Sequence, residues 1–128
     1  ATVFLQGDLG MGKTTFTRGV MCHFGHLGAT KSPTYTLVEP YQFEQQKIHH
    51  FDLYRLGHPE ELEYLGIRDY FDGCAINLIE WSDKGMGFLP SADVVLTIHP
   101  LDRGRKLTFT SCTSMGEVIL NNLTQVQL

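Results

Sequence analysis

Apolar and polar positions along the 128-residue chain change period several times, and the changes mark out alternating strands and helices. Thr2-Val3-Phe4-Leu5-Gln6 is a short apolar run of strand type. Residues 14–26 then read as a helix, with Phe16, Val20, Cys22, Phe24 and Leu27 among its apolar positions and an end near Gly25 or Gly28. Residues 29–34 form a polar loop containing Ser32-Pro33. Residues 35–41 and 47–54 read as two strands joined by the polar segment 42–46, an antiparallel hairpin. Pro59-Glu60-Glu61-Leu62 opens a short helix, with proline at its first position and acids in its first turn. Residues 75–79 are an apolar run that fits a buried parallel strand. Segments 94–99 and 106–112 are two further strands joined by a turn at 100–104. Ser114 with Glu117 three residues on reads as a capping box that opens a last helix, to about residue 123. This alternation predicts an α/β fold, a mixed sheet with an antiparallel hairpin and helices on its faces. A ligand would then lie beyond the carboxyl ends of the strands.

The turn between the first strand and first helix carries the chemistry. Gly7-Asp8-Leu9-Gly10-Met11-Gly12-Lys13-Thr14-Thr15 matches the phosphate-binding loop pattern G-x-x-x-x-G-K-S/T, with a strand before it and a helix after it. Gly7, Gly10 and Gly12 let backbone N–H groups turn toward an anion. The helix N-terminus adds partial positive charge. Lys13 has the reach to meet the β- and γ-phosphates, and the Thr14 hydroxyl is a Mg²⁺ ligand in this pattern. The fold expected is therefore a P-loop NTPase-like sheet, residues 1–128 making a single ATPase domain. The alternative is a glycine-rich turn with a solvated lysine.

Such a site needs a carboxylate for the metal shell, usually at the end of a neighbouring apolar strand. Glu80, closing Ile76-Asn77-Leu78-Ile79, supplies one, although aspartate is the usual residue there. The competing reading is a solvated acid at a strand end. Asp52, among the apolar neighbours of His50-Phe51-Asp52-Leu53-Tyr54-Arg55, is a second acid, whose alternative role is an ion pair with Arg55 or Arg68. Ser32 and Thr34 lie in a hydroxyl-rich loop that is either a nucleotide-sensing switch or an ordinary connection. Trp81, the only tryptophan, is either core or a neighbour of the phosphates. The six histidines have no metal spacing, and His49 and His50 point to opposite faces of a strand, so they read as structural or solvated. None of the arginines is identifiable as an arginine finger. No N/T-K-x-D guanine-reading motif occurs, which favours ATP over GTP.

Composition narrows the partners. A formal charge of −4 and the absence of a Lys/Arg run argue against direct binding of DNA or tRNA. Cys22, Cys74 and Cys112 are scattered, with no C-x-x-C, which fits reduced thiols in a cytoplasmic protein. No stretch approaches the roughly 20 apolar residues that span a bilayer. No signal peptide is visible.

Several strings in order carry a family resemblance: the loop Gly7–Thr15, Lys31-Ser32-Pro33-Thr34-Tyr35-Thr36-Leu37-Val38-Glu39, His50-Phe51-Asp52-Leu53-Tyr54-Arg55-Leu56, Pro59-Glu60-Glu61-Leu62-Glu63 and Leu78-Ile79-Glu80-Trp81. Together they resemble the TsaE (YjeE) family, bacterial ATPases of tRNA threonylcarbamoyladenosine biosynthesis, over residues 1 to about 100. The resemblance implies a small P-loop ATPase that uses ATP and Mg²⁺ and is slow alone. It implies a partner, the synthase heterodimer that transfers threonylcarbamoyl to adenosine 37 of tRNA, with tRNA met only indirectly. It implies that Lys13, Thr14 and Thr15 serve nucleotide and metal, that Asp52 and Glu80 are the functional acids, that Trp81 lies beside the site, and that the Ser32/Thr34 loop is a switch. Two features depart from the family. Met11 stands where a small residue is usual and would crowd the loop. The family's segment before the first strand is lacking here, which bears on the adenine pocket and the sheet edge. The competing functions are a small-molecule kinase, which needs an acceptor pocket and an arginine-rich lid, and a non-catalytic nucleotide switch.

Overall fold

The first apolar run becomes the middle of the sheet. In a computed structural model, which describes residues 1–8, 10–26 and 36–124, β1 (Thr2–Gln6) lies between two parallel neighbours, β4 (Ile76–Glu80) and β5 (Val94–Pro100). The full order is β2-β3-β4-β1-β5-β6. β2 (Val38–Gln42) and β6 (Arg105–Ser111) close the edges, each antiparallel to its neighbour, β3 (Lys47–Asp52) or β5. The expected mixed α/β sheet is therefore present, with two antiparallel hairpins.

Period-2 alternation assigns the strand residues to two faces. Leu5, Ile48, Leu78, Leu96 and Ile98 face α1 (Lys13–His23), whose Met21 is fully buried among them. Phe51, Leu53, Ile79 and Val38 form the opposite cluster with Leu62 of α2 (Glu61–Tyr64) and Ile67 of the following 3-10 helix. α3 (Ser114–Thr124) packs on β6.

Three local readings are corrected. The first helix runs Lys13–His23 rather than 14–26. It stops in a Schellman arrangement: His26 N–H donates to Met21 O (3.0 Å), Gly25 N–H donates to Cys22 O (3.1 Å), and Gly25 has φ 102°. Pro59 does not begin α2; it sits in the turn before it, its carbonyl accepting from Leu62 N–H at 3.1 Å. The cap of the last helix is Thr113, not Ser114. Thr113 Oγ1 accepts from Gly116 N–H (3.1 Å) and donates to Asp93 Oδ1 (2.6 Å). Asp93 Oδ2 in turn accepts from Thr2 N–H at 2.8 Å, so this acid fastens the helix start to the central strand. The hairpin runs from Val38 to Asp52, its first strand extending one residue past the expected segment, to Gln42. Among the described residues, no helix is long and apolar enough to cross a membrane.

Candidate active site

The carboxyl ends of β1, β3 and β4 open onto one cleft of about 410 Å³, lined by Gly10, Gly12, Lys13, Thr14, Thr15, Asp52, Tyr54, Arg55, Glu80 and Trp81. The strand order explains the convergence. β1 and β4 are adjacent, but the chain leaves β1 toward the β2 edge and leaves β4 toward the β6 edge. Loops diverging at such a point leave a crevice.

The glycine loop builds one wall. Gly12 caps α1 with φ 110°, a left-handed conformation that disfavours any side chain. Gly7 has φ 149°, and a Cβ there would come within 3.1 Å of Ile98 O. No side chain caps α1, so its first N–H groups are open to an anion. Met11 does not crowd this wall; its N–H donates to Asp8 O at 3.2 Å and its side chain packs against the core cluster on the α1 face. Leu9 lies outside the described residues.

Lys13 is 5% exposed. Its Nζ donates to Gly7 O at 2.6 Å and lies 3.8 Å from the centroid of the Trp81 ring. Burial pushes the Lys13 ammonium below its ordinary pKa, against the attraction of Glu80, Asp52, Asp8 and Asp83. Trp81 thus lines the cleft while it also packs against the core cluster of Phe51 and Leu53, and Tyr54 packs on it with ring centroids 5.0 Å apart. Trp81 itself has φ 58°, an uncommon conformation for a bulky residue, immediately after Glu80. A strain of this kind is found where the surrounding structure holds it in place.

The acids form the opposite wall. Asp52 and Glu80 are in register on parallel strands, so both side chains leave the same face. Glu80 is 4% exposed, which removes the reading of a solvated strand end. Its Oε2 lies 2.6 Å from His50 Nε2. Asp52 is not paired with Arg68, which instead approaches Glu63 at 3.5 Å. Asp52 Oδ1 accepts from Tyr54 N–H at 3.1 Å. Burial raises the Asp52 pKa above the ordinary value. The Tyr54 N–H opposes that rise, nearby Glu80 adds to it, and His50 and Lys13 oppose it. With Thr14, these carboxylates give the cleft a set of hard oxygen donors facing the lysine. Ser32 and Thr34 lie outside the described residues.

His50 is the residue that the sequence reading missed. Its lack of metal spacing suggested a structural or solvated side chain, yet it is 1% exposed and bonded to the cleft acid. The available signal was its position two residues before Asp52, hence on the same strand face. Arg55 also lines the cleft.

The raised Asp52 pKa makes a stability prediction. The folded chain holds this proton more tightly than the unfolded chain, so the group favours folding most below about pH 3.8. That contribution is lost as pH rises through the raised folded value. Asp52→Asn keeps an acceptor for Tyr54 N–H and removes the buried charge. Thermal melts at pH 7 should place its Tm about 2–4 °C above wild type. A lower Tm would mean that the ionised carboxylate is net stabilising.

Comparison with known proteins identifies the family of the chain. Residues 1–107 match the family model described as threonylcarbamoyl adenosine biosynthesis protein TsaE. The chain belongs to the TsaE family. It is 54% identical over 119 residues to the tRNA threonylcarbamoyladenosine biosynthesis protein TsaE of Haemophilus influenzae, covering 93% of this chain and 75% of that protein. It is 34% identical over 122 residues to the Bacillus subtilis protein of the same name, covering 94% and 76%. The crystal structure of Bacillus subtilis YdiB has the same fold, with a TM-score of 0.80 and 30% identity over 97% of this chain and 76% of that one. Membership of TsaE places the chain in tRNA threonylcarbamoyladenosine biosynthesis. The matched segment ends at residue 107, so it contains every cleft residue named above but not α3.

Proposed function

We propose that this TsaE-family chain binds ATP with Mg²⁺ in the β1–β3–β4 cleft, hydrolyses it slowly alone, and acts on the synthase heterodimer that modifies adenosine 37 of tRNA. The observation that carries the reading is the pairing of Asp52 with Glu80 opposite Lys13 at the mouth of a glycine-lined helix start. Backbone N–H groups and Lys13 meet phosphate oxygens, as charge-assisted hydrogen bonds suit. Thr14, Glu80 and Asp52 are the hard oxygen donors that Mg²⁺ selects. Among the described residues no group of three or more His, Cys, Asp or Glu could by itself hold a metal. Mg²⁺ is usually held by one or two carboxylates together with phosphate oxygens and water. When bound, Mg²⁺ supplies neutralisation of charge on the phosphates. The protein's own part is to hold the phosphate chain against α1, set Glu80 beside it, and orient the attacking water.

A net charge of −4 argues that tRNA is reached through the protein partner. The heterodimer should therefore co-purify with this chain in ATP and Mg²⁺, and adding heterodimer and tRNA should raise ATP turnover about 10-fold or more, the scale of a modest coupling free energy. Tight binding of isolated tRNA at physiological salt, or no effect of the heterodimer on turnover, would refute the partnership.

A further inference from the structure

We propose that His50 is a positioning residue for the reaction: its Nε2–H holds one oxygen of Glu80 and presents the other to the cleft in a single orientation. The inference rests on the ATPase reading of the cleft. Its geometry comes from strand register. His50 is in register with Leu78, not with Glu80, so the 2.6 Å contact runs diagonally to the acid two residues further along β4. The imidazole thus lies one strand step behind the Asp52–Glu80 pair, on the same face. It is 1% exposed.

The hydrogen is assigned by the other ring nitrogen. His50 Nδ1 is buried and has no hydrogen-bond partner among the described residues. A hydrogen on Nδ1 would be a buried donor without an acceptor, whereas one on Nε2 meets a carboxylate oxygen. His50 therefore donates through Nε2. Glu80 Oε2 is engaged by that bond, and Oε1 is left for the cleft. A flexible two-carbon side chain is in this way given one orientation, as outer partners orient ligating carboxylates. His49, one residue earlier, does a different job on the opposite face. It bonds Asn77 at 2.8 Å and packs edge-on to Tyr70, away from the cleft.

His50→Leu and His50→Gln test the assignment. Leucine fills the site without a donor; glutamine keeps a side-chain N–H of similar reach. Three readouts are needed: ATP affinity without Mg²⁺, kcat for hydrolysis, and the imidazole ¹H–¹⁵N spectrum of the nucleotide-free wild type. The expected results are an Nε2-protonated His50 tautomer whose signal shifts in Glu80→Gln, unchanged metal-free ATP affinity in both variants, a kcat lowered about 10–100-fold in His50→Leu, and recovery of much of that loss in His50→Gln. Wild-type kcat in a folded His50→Leu would overturn the proposal. So would equal losses in both variants, which mark a packing role, or an Nδ1-protonated tautomer. No hydrolysis by the wild type under any condition would instead remove the ATPase reading, and the role of His50 with it.

Discussion

Lys13→Ala should lose ATP hydrolysis by about 10²–10³-fold, to the level of a protein-free blank, and calorimetry should show ATP binding weakened to the limit of detection. The magnitude follows from removing a preorganised donor aimed at developing charge in a site sheltered from water. Lys13 is the cation that the structure sets between the glycine loop and the two cleft acids, with Nζ on Gly7 O and over Trp81. The variant should remain folded. Burial already disfavours the Lys13 ammonium, so removing it takes a desolvated charge out of the folded state. Normal melting with lost turnover assigns the loss to the cleft. Wild-type turnover in the variant would end the assignment of the loop as a phosphate site.

Glu80→Gln should separate binding from chemistry. A carboxylate that orients water or completes a metal shell acts mainly in the transition state, so kcat should drop about 100-fold or more while ATP affinity changes by only a few-fold. The substitution is nearly isosteric, and the amide oxygen still accepts from His50 Nε2–H. The buried 2.6 Å bond is therefore retained in kind, and the fold with it. Collapsed affinity with unchanged turnover per bound nucleotide would make Glu80 a structural acid.

The features legible in the sequence are those set by local rules. The phosphate loop needs glycines at positive φ, a lysine and a hydroxyl within nine residues, and Gly12, Lys13 and Thr14 supply them in that order. The apolar run before Glu80 and the alternation of the two hairpins likewise follow from period alone. The misses are of another kind. The diagonal bond from His50 to Glu80 depends on how β3 registers against β4, twenty-odd residues away, which no local pattern records. Thr113 displaced Ser114 as the helix cap because Asp93, in the bend just before β5, accepts its hydroxyl. The cation–π contact of Lys13 with Trp81 depends on a left-handed turn at Trp81 that a tryptophan does not advertise. Long-range pairing decided the first two of these, and the backbone conformation of a single residue decided the third.

Hydrolysis of ATP in this cleft requires Glu80 beside the phosphates. The most direct measurement is Mg²⁺-dependent phosphate release from ATP by the purified chain, wild type and Glu80→Gln side by side. The expected result is slow, saturable release by the wild type, and release in Glu80→Gln indistinguishable from the blank although nucleotide still binds. Equal release by the two proteins, or none by a wild type shown to bind ATP, would contradict it.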